Sequence, residues 1–370
     1  MKLVVLLILW ISICSAQTDP LSSQETKDLY RKLNNLSLSI NTKQQILIGQ
    51  QNAFSEGRGW KYGNNEVGTE LKSDMNEAVG LHPAVLGIDF SEIGDWNVEL
   101  FKYQIRKIHA KGGVITLSWH MGALVNDGKG DQSSKDKSTK IVKRILKGGD
   151  HHHILLKELD RLVSFLKEIK EIPVIFRPWH EHNYSWFWWG KRHCTRSEYI
   201  ELWKTTVEYM QQNGIHNLLY AYSPTQIKND YLDRYPGDEY VDILGVDHYF
   251  YNKVIDLTLL GLTPQKDYKE GIIWLCEEAH KRNKIPAITE FGQESSHYER
   301  FWTDYFGWPL MKESMEEIVG VGKTPKKGPA YIMLWRNDMN DPKHFYGPIP
   351  GHKNNQNFIE LLSTSIFHGL

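Results

Sequence analysis

The chain has 370 residues, 41% hydrophobic and 24% charged, and its 44 Lys and Arg nearly balance 45 Asp and Glu for a net charge of −1. That apolar content is too high for a solvated, disordered chain, and a near-neutral balance offers no basic footprint for a nucleic-acid backbone. Length alone allows two domains, but one α/β barrel also reaches this size, so the domain count has to come from pattern.

Met1–Ala16 carries one lysine, the apolar run Leu3–Ile13, and Ser15-Ala16 before Gln17. This is the layout of a secretory signal peptide, which predicts a leader over 1–16, one mature domain over 17–370 and a secreted or periplasmic protein. The run is too short to span a bilayer, and no later segment is apolar for long enough, so no transmembrane helix is expected. Cys14 raises a lipid-anchored alternative, but Ile13 is larger than the residue expected before a lipidated cysteine. Past the leader only Cys194 and Cys276 remain, which permit one bridge in a chain large enough not to need it.

Lys27–Leu38 reads as an amphipathic helix under the first strand. Eight short, mostly β-branched or apolar runs follow: Ile46–Gly49, Ala84–Asp89, Val114–Ser118, Val174–Arg177, Leu218–Tyr222, Ile243–Asp247, Ala287–Glu290 and Tyr331–Trp335. Runs without polar alternation suit strands covered on both faces. Helical patterns fall between or after them at Glu99–Ala110, Ile154–Lys170, Ser197–Gln212, Tyr268–Arg282, Arg300–Ile318 and Asn357–Ser365. Eight strands alternating with helices predict the α/β class and a single (β/α)8 TIM barrel. Pro83, Pro173 and Pro286 are expected just before strands, where a missing N–H costs least. Asn126–Lys140 and Tyr251–Gln265 read as long loops able to close over a cleft. His151-His152-His153 reads as a solvated helix start, because adjacent side chains do not converge on one metal ion.

In this fold active sites lie at the C-terminal ends of the strands. Those ends collect Asp89, Ser118-Trp119-His120, Arg177 to Glu181, Tyr222-Ser223, Asp247-His248-Tyr249, Thr289-Glu290 and Trp335-Arg336-Asn337. Strands four and seven face one another across an eight-stranded barrel, so Glu181 and Glu290 can flank one sugar. A retaining glycosidase needs such a pair, one acid and one nucleophile. Around Glu181, the run Arg177 to Gly190 interleaves Trp179, Tyr184, Trp186, Phe187, Trp188 and Trp189 with Arg177, His180, His182 and Asn183. Indoles pack on the C–H faces of sugars while the polar groups bond their hydroxyls.

This run, together with Ile288-Thr289-Glu290-Phe291-Gly292, is similar to glycoside hydrolase family 26, whose best-known members are endo-β-1,4-mannanases. The resemblance extends over Ile48-Gly49-Gln50, Gly87-Ile88-Asp89, Leu117 to His120, Gly245 to Tyr249 and Leu334-Trp335-Arg336. It implies a retaining hydrolase acting on β-mannan or manno-oligosaccharides, with Glu181 as acid/base and Glu290 as nucleophile. It further implies that His180 orients sugar and catalytic pair, that Tyr249 bonds the nucleophile, and that His120, Arg177, Trp186 and Trp335 hold the sugar. Tyr184 departs from the family pattern, which often has glycine there, and is expected to narrow a neighbouring subsite. The chemistry asks for no cofactor and no metal. The alternatives are a β-1,3-xylanase, a mixed-linkage β-glucanase, and a glycan-binding barrel without catalysis.

Overall fold

Each of the eight apolar runs forms a strand, and together they close into one parallel barrel. The structure is a computed structural model that describes residues 17–63, 70–125, 133–136, 140–225, 227, 230–250, 264–364 and 366–370. The strands that close the barrel are β1 (Ile46–Gln51), β2 (Val85–Asp89), β3 (Val114–Ser118), β4 (Val174–Arg177), β5 (Leu218–Tyr222), β6 (Ile243–Tyr249), β7 (Ile285–Gly292) and β8 (Tyr331–Leu334). Each pairs with the next, and β8 closes on β1 with Leu47 opposite Tyr331 and Gln50 opposite Leu334. The helices are α1 (Gln24–Leu38), α2 (Asp74–Val79), α3 (Val98–Ala110), α4 (Ile141–Ile145), α5 (His152–Lys167), α6 (Arg196–Gln212), α7 (Pro264–Lys281), α8 (Lys312–Val319) and α9 (Asn355–Ser363). Capping fixes several starts: Ser23 accepts from Thr26 N ahead of α1, and Thr195 with Glu198 forms a reciprocal capping box on α6. The predicted closed (β/α)8 architecture is therefore the observed one.

Three local expectations change. Helix α1 packs most closely under β5 and β7 rather than under β1 alone. It plugs the N-terminal mouth beneath β5 and β7, where Leu29, Tyr30 and Leu33 join Leu47, Val85, Ile175, Leu219, Ile243 and Ile285 in one buried cluster. The single helix expected over Arg300–Ile318 is broken into a π-helical segment Trp302–Gly307, a tight turn Trp308–Leu310, and α8. Pro309 explains this, since it lacks a donor and its ring clashes with the preceding turn. Pro286 is the second residue of β7 rather than its forerunner. Its carbonyl accepts from Ala330 N at 2.9 Å, and its missing N–H falls on the β8 side before that strand begins.

Cys194 and Cys276 are free and buried, so they do not form the bridge that two cysteines permit. The histidine tract does open a helix: His152 begins α5, its Nδ1 lies 2.8 Å from Ile145 O, and His151 pairs with Asp150 at 2.9 Å. The leader Met1–Ala16 and most of Asn126–Lys140 and Tyr251–Gln265 lie outside the described residues. Among the described residues, no helix is long and apolar enough to cross a membrane.

Candidate active site

Strand parity decides which polar residues reach the lumen. Ile175, Leu219, Ala221, Ile243, Ala287, Tyr331 and Met333 belong to the lumen cluster, while Phe176, Tyr220, Leu244, Ile288 and Leu334 pack outward under the helices. Continuing the alternation turns Arg177, Ser223, Asp247 and Tyr249 inward. It would turn Glu290 outward with Ile288. A β-bulge corrects this. Val246 pairs with Ile288 but Asp247 pairs with Glu290, so Thr289 is an extra residue on β7. Thr289 and Glu290 both face the lumen, and Phe291 returns to the outer layer.

Gly245 makes room for this bulge. A Cβ there would lie 2.6 Å from Thr289 Cγ2 and 3.1 Å from Ser223 Cβ, and Thr289 Oγ1 is already committed to Asp247 Oδ1 at 2.7 Å. Gly245→Ala is expected to cost about 1–3 kcal/mol by overpacking. It should also lower kcat through displacement of Thr289, as urea unfolding and steady-state kinetics would measure.

Glu181 is presented differently, on the irregular chain that follows β4. Trp179 and Glu181 have φ values of 50° and 53°, in the left-handed region that bulky residues avoid. Such conformations cost about 1–3 kcal/mol each and persist only where their surroundings impose them. Here Tyr199 Oη donates to Trp179 O at 2.9 Å, Trp189 Nε1 to His180 O at 2.8 Å, and Glu181 N to Ser223 O at 2.8 Å. The outcome is a carboxyl aimed across the mouth at β7. One oxygen each from Glu181, Asp247 and Glu290 lies within 4.8 Å of the others.

Arg177 is the hub beneath them. Its guanidinium donates to Asp247 Oδ2 at 2.8 Å, to Ser223 Oγ at 3.1 Å and to Glu290 Oε1. Tyr249 Oη donates to the other Glu290 oxygen at 2.6 Å. Both Glu290 oxygens therefore accept hydrogen bonds. The three carboxyls are also the one grouping with metal-ligand spacing among the described residues, and Arg177 already supplies the positive charge beside two of them. Burial, then the charges of Glu290 and Asp247, pushes the Glu181 carboxyl well above its usual range, against the hydrogen bond from Trp186 Nε1 at 2.7 Å. Burial likewise raises Asp247, opposed by Arg177.

Above this floor opens a cavity of about 650 Å³ lined by His120, Glu181, Trp186, Tyr249, Glu290 and Trp335, all read as site residues from the sequence. The other two lie behind it: Arg177 is 3% exposed and His180 is fully buried behind His120. The aromatic run divides in two. Tyr184, Trp186 and Phe187 line the cavity, with Tyr184 stacked on Trp186 at 4.5 Å, whereas Trp179, Trp188 and Trp189 are wholly buried. His182 packs between Tyr199 and Tyr222, and Asn183 Nδ2 holds Thr225 O at 2.7 Å, so neither faces the cavity. Asp247 is legible in the sequence as one of the polar strand-end residues, without a role of its own. Lys135, from the long loop Asn126–Lys140 expected over the cleft, and Tyr346, from a loop without a local signal, also line the cavity. A smaller hollow of about 300 Å³ adjoins the β1, β2 and β8 ends, with Trp96 half exposed and Arg336 bonded to Glu56 at 2.8 Å.

The family model "Glycosyl hydrolase family 26" matches residues 18–305. The chain belongs to glycosyl hydrolase family 26. Within this family it is 32% identical over 345 residues to a mannan endo-1,4-beta-mannosidase of Bifidobacterium adolescentis, covering 86% of this chain and 32% of that relative. A mannan endo-1,4-beta-mannosidase of Bacillus subtilis is 28% identical over 270 residues, covering 68% of this chain and 72% of its own. The chain thus spans about a third of the length of the Bifidobacterium relative. Among solved structures, a GH26 beta-mannanase from Bacteroides ovatus superimposes with a TM-score of 0.78 at 29% identity, covering 94% of this chain and 95% of that one. The catalytic domain of a Bacillus sp. JAMB-750 GH26 endo-beta-1,4-mannanase gives 0.79 at 28% identity, covering 96% and 93%.

Proposed function

We propose that this family 26 protein hydrolyses β-1,4-mannosidic bonds of mannan, glucomannan or galactomannan by double displacement with retention. The observation that carries the reading is the Glu181–Glu290 pair, whose facing oxygens lie within 4.8 Å across an aromatic-walled cavity. Retaining enzymes hold their carboxyls about 5–5.5 Å apart, whereas inverting ones need about 6.5–9.5 Å to admit a water. Glu181, kept protonated by burial and its anionic neighbours, protonates the departing oxygen while Glu290 attacks the anomeric carbon. The C–O bond breaks as the glycosyl ester forms. With the Glu290 charge gone, Glu181 takes a proton from water, which then cleaves the ester and regenerates both groups.

Trp186, bonded to Glu181, lies on the leaving-group side with Tyr184 stacked against it. The hollow at Trp96 lies across the barrel mouth from β4 and gives room for a further sugar on the opposite side. Polymeric mannan lies outside the cell, which accords with reading Met1–Ala16 as an export signal. The names of the relatives favour mannan; a relative named endoglucanase H, of Acetivibrio thermocellus, 33% identical over 81 residues, keeps a glucan as the second reading. The deciding experiment is a product profile on galactomannan and unbranched mannan beside β-1,3-xylan and barley-type glucan. Manno-oligosaccharides from the first two and no release from the others are expected. Preferential release from xylan or glucan would assign the cleft to that polymer instead, and binding without any release would make the barrel a glycan-binding protein.

A further inference from the structure

Three groups form a hydrogen-bonded chain along the lumen wall. Asp89, at the inward end of β2 and 2% exposed, accepts from Ser118 Oγ at 2.8 Å, from Ser91 N at 3.0 Å and from the backbone N of His120 at 3.1 Å. Its Oδ2 also lies 2.6 Å from His120 Nδ1. A carboxylate offers only acceptors, so His120 Nδ1 carries a proton. His120 Nε2 then stands 3.0 Å from His180 Nε2, and two ring nitrogens at that distance share one proton. On His120 that proton makes an imidazolium, with His180 accepting at Nε2 and carrying its own proton on Nδ1; on His180 it is that ring's single proton, the pair holds one proton fewer, and both rings are neutral.

The surroundings decide between these states. His180 is wholly buried and neutral in either state, burial followed by the Arg177 charge pushing its pKa well below the usual range; its unpartnered Nδ1 opposes the charged state, and the buried Asp89 carboxylate 2.6 Å from His120 Nδ1 favours it. For His120 burial pulls the same way, but the charge and hydrogen bond of Asp89 outweigh it, with Glu290 adding to them, and the pKa ends raised.

We propose that Asp89 is a positioning residue that holds His120 as an imidazolium facing the catalytic cleft and, through the proton shared at Nε2, fixes His180 in its Nδ1–H tautomer. Both nitrogens of His120 are then committed inside the protein. What His120 presents to a sugar is a positively charged ring edge rather than a free N–H. The charged groups around it are Asp89 on β2, Arg177 on β4, Asp247 on β6 and Glu290 on β7. His180 lies behind it, and Glu181, Lys135 and Glu294 line the same cavity. Removing the Asp89 charge lowers the pH at which His120 loses its proton, and His180 changes tautomer as that proton leaves.

The kinetic consequence rests on the hydrolase reading, but the charge itself is read without turnover. NMR titration of isotope-labelled histidine ring nitrogens is carried out on the full chain, its Asp89→Asn and Ser118→Ala variants, and His120→Gln to assign the resonance. In the unaltered protein both His120 nitrogens are expected to stay protonated through neutral pH. Asp89→Asn should lower the midpoint by about one unit or more, the effect of losing an opposite charge at contact distance. Ser118→Ala, which removes a neutral donor and keeps the carboxylate, should leave it nearly unchanged. The alkaline limb of kcat should move down with the midpoint in Asp89→Asn. A His120 that is neutral in the unaltered protein at neutral pH overturns the proposal whether or not the variants fold, and so does an equal midpoint in Asp89→Asn. Absence of turnover on every glycan, with the titration as expected, would instead count against the hydrolase reading alone.

Discussion

Glu290→Ala is expected to abolish turnover of every glycoside, natural or activated, by about 10⁴-fold or more, the scale on which covalent mechanisms lose rate without their nucleophile. No leaving group, however good, restores an ester that cannot form. The substitution also removes the acceptor for Arg177 and Tyr249, whose donors converge on the two Glu290 oxygens. A buried cation that loses one partner costs about 3–5 kcal/mol when nothing else neutralises it. Here Asp247 still pairs with Arg177 at 2.8 Å, so the loss should appear in kcat more than in folding. Thermal unfolding measured beside turnover would separate the two.

Glu181→Ala should behave in the opposite sense on an activated substrate. On mannan the loss is expected to be about 10²–10⁴-fold, because the departing sugar oxygen needs a proton. An aryl glycoside with a phenolate of low basicity needs none, so its first step should be spared and a burst of phenol should precede slow hydrolysis of the ester. Azide, an anion that attacks without general-base help, should restore turnover and yield a glycosyl azide of retained configuration. Equal loss on both substrates with no effect of azide would show that Glu181 is not the acid/base. The chemical reason for the role is local: burial and two neighbouring carboxyls keep Glu181 protonated, and formation of the Glu290 ester removes one of those charges.

The eight strands were legible because each is a short apolar run covered on both faces, and the motif residues sit where those runs stop. Residues that depend on chain path were less so. Simple alternation from Ile288 sends Glu290 outward; the bulge at Thr289 and the space left by Gly245 reverse it, and neither leaves a mark in periodicity. Trp186 and Trp189 look alike in sequence, yet one walls the cavity and the other is wholly buried holding the His180 carbonyl. Arg177, expected to hold the sugar, does not line the cavity, because the inward β4 position that follows Ile175 is at its floor and ringed by Ser223, Asp247 and Glu290. Pro309, visible in the sequence, was sufficient to break the helix expected across it.

The claim that joins these points is that Glu290 attacks the anomeric carbon while Glu181 serves the departing oxygen and then the incoming water. It is tested most directly by following a manno-oligosaccharide digest by proton NMR within the first minutes, before the new reducing ends mutarotate. Double displacement by Glu290 and Glu181 predicts that the β-anomer appears first and the α-anomer grows only later, at the rate of mutarotation. Initial release of the α-anomer would contradict it, since a single inverting displacement is incompatible with a nucleophile at Glu290.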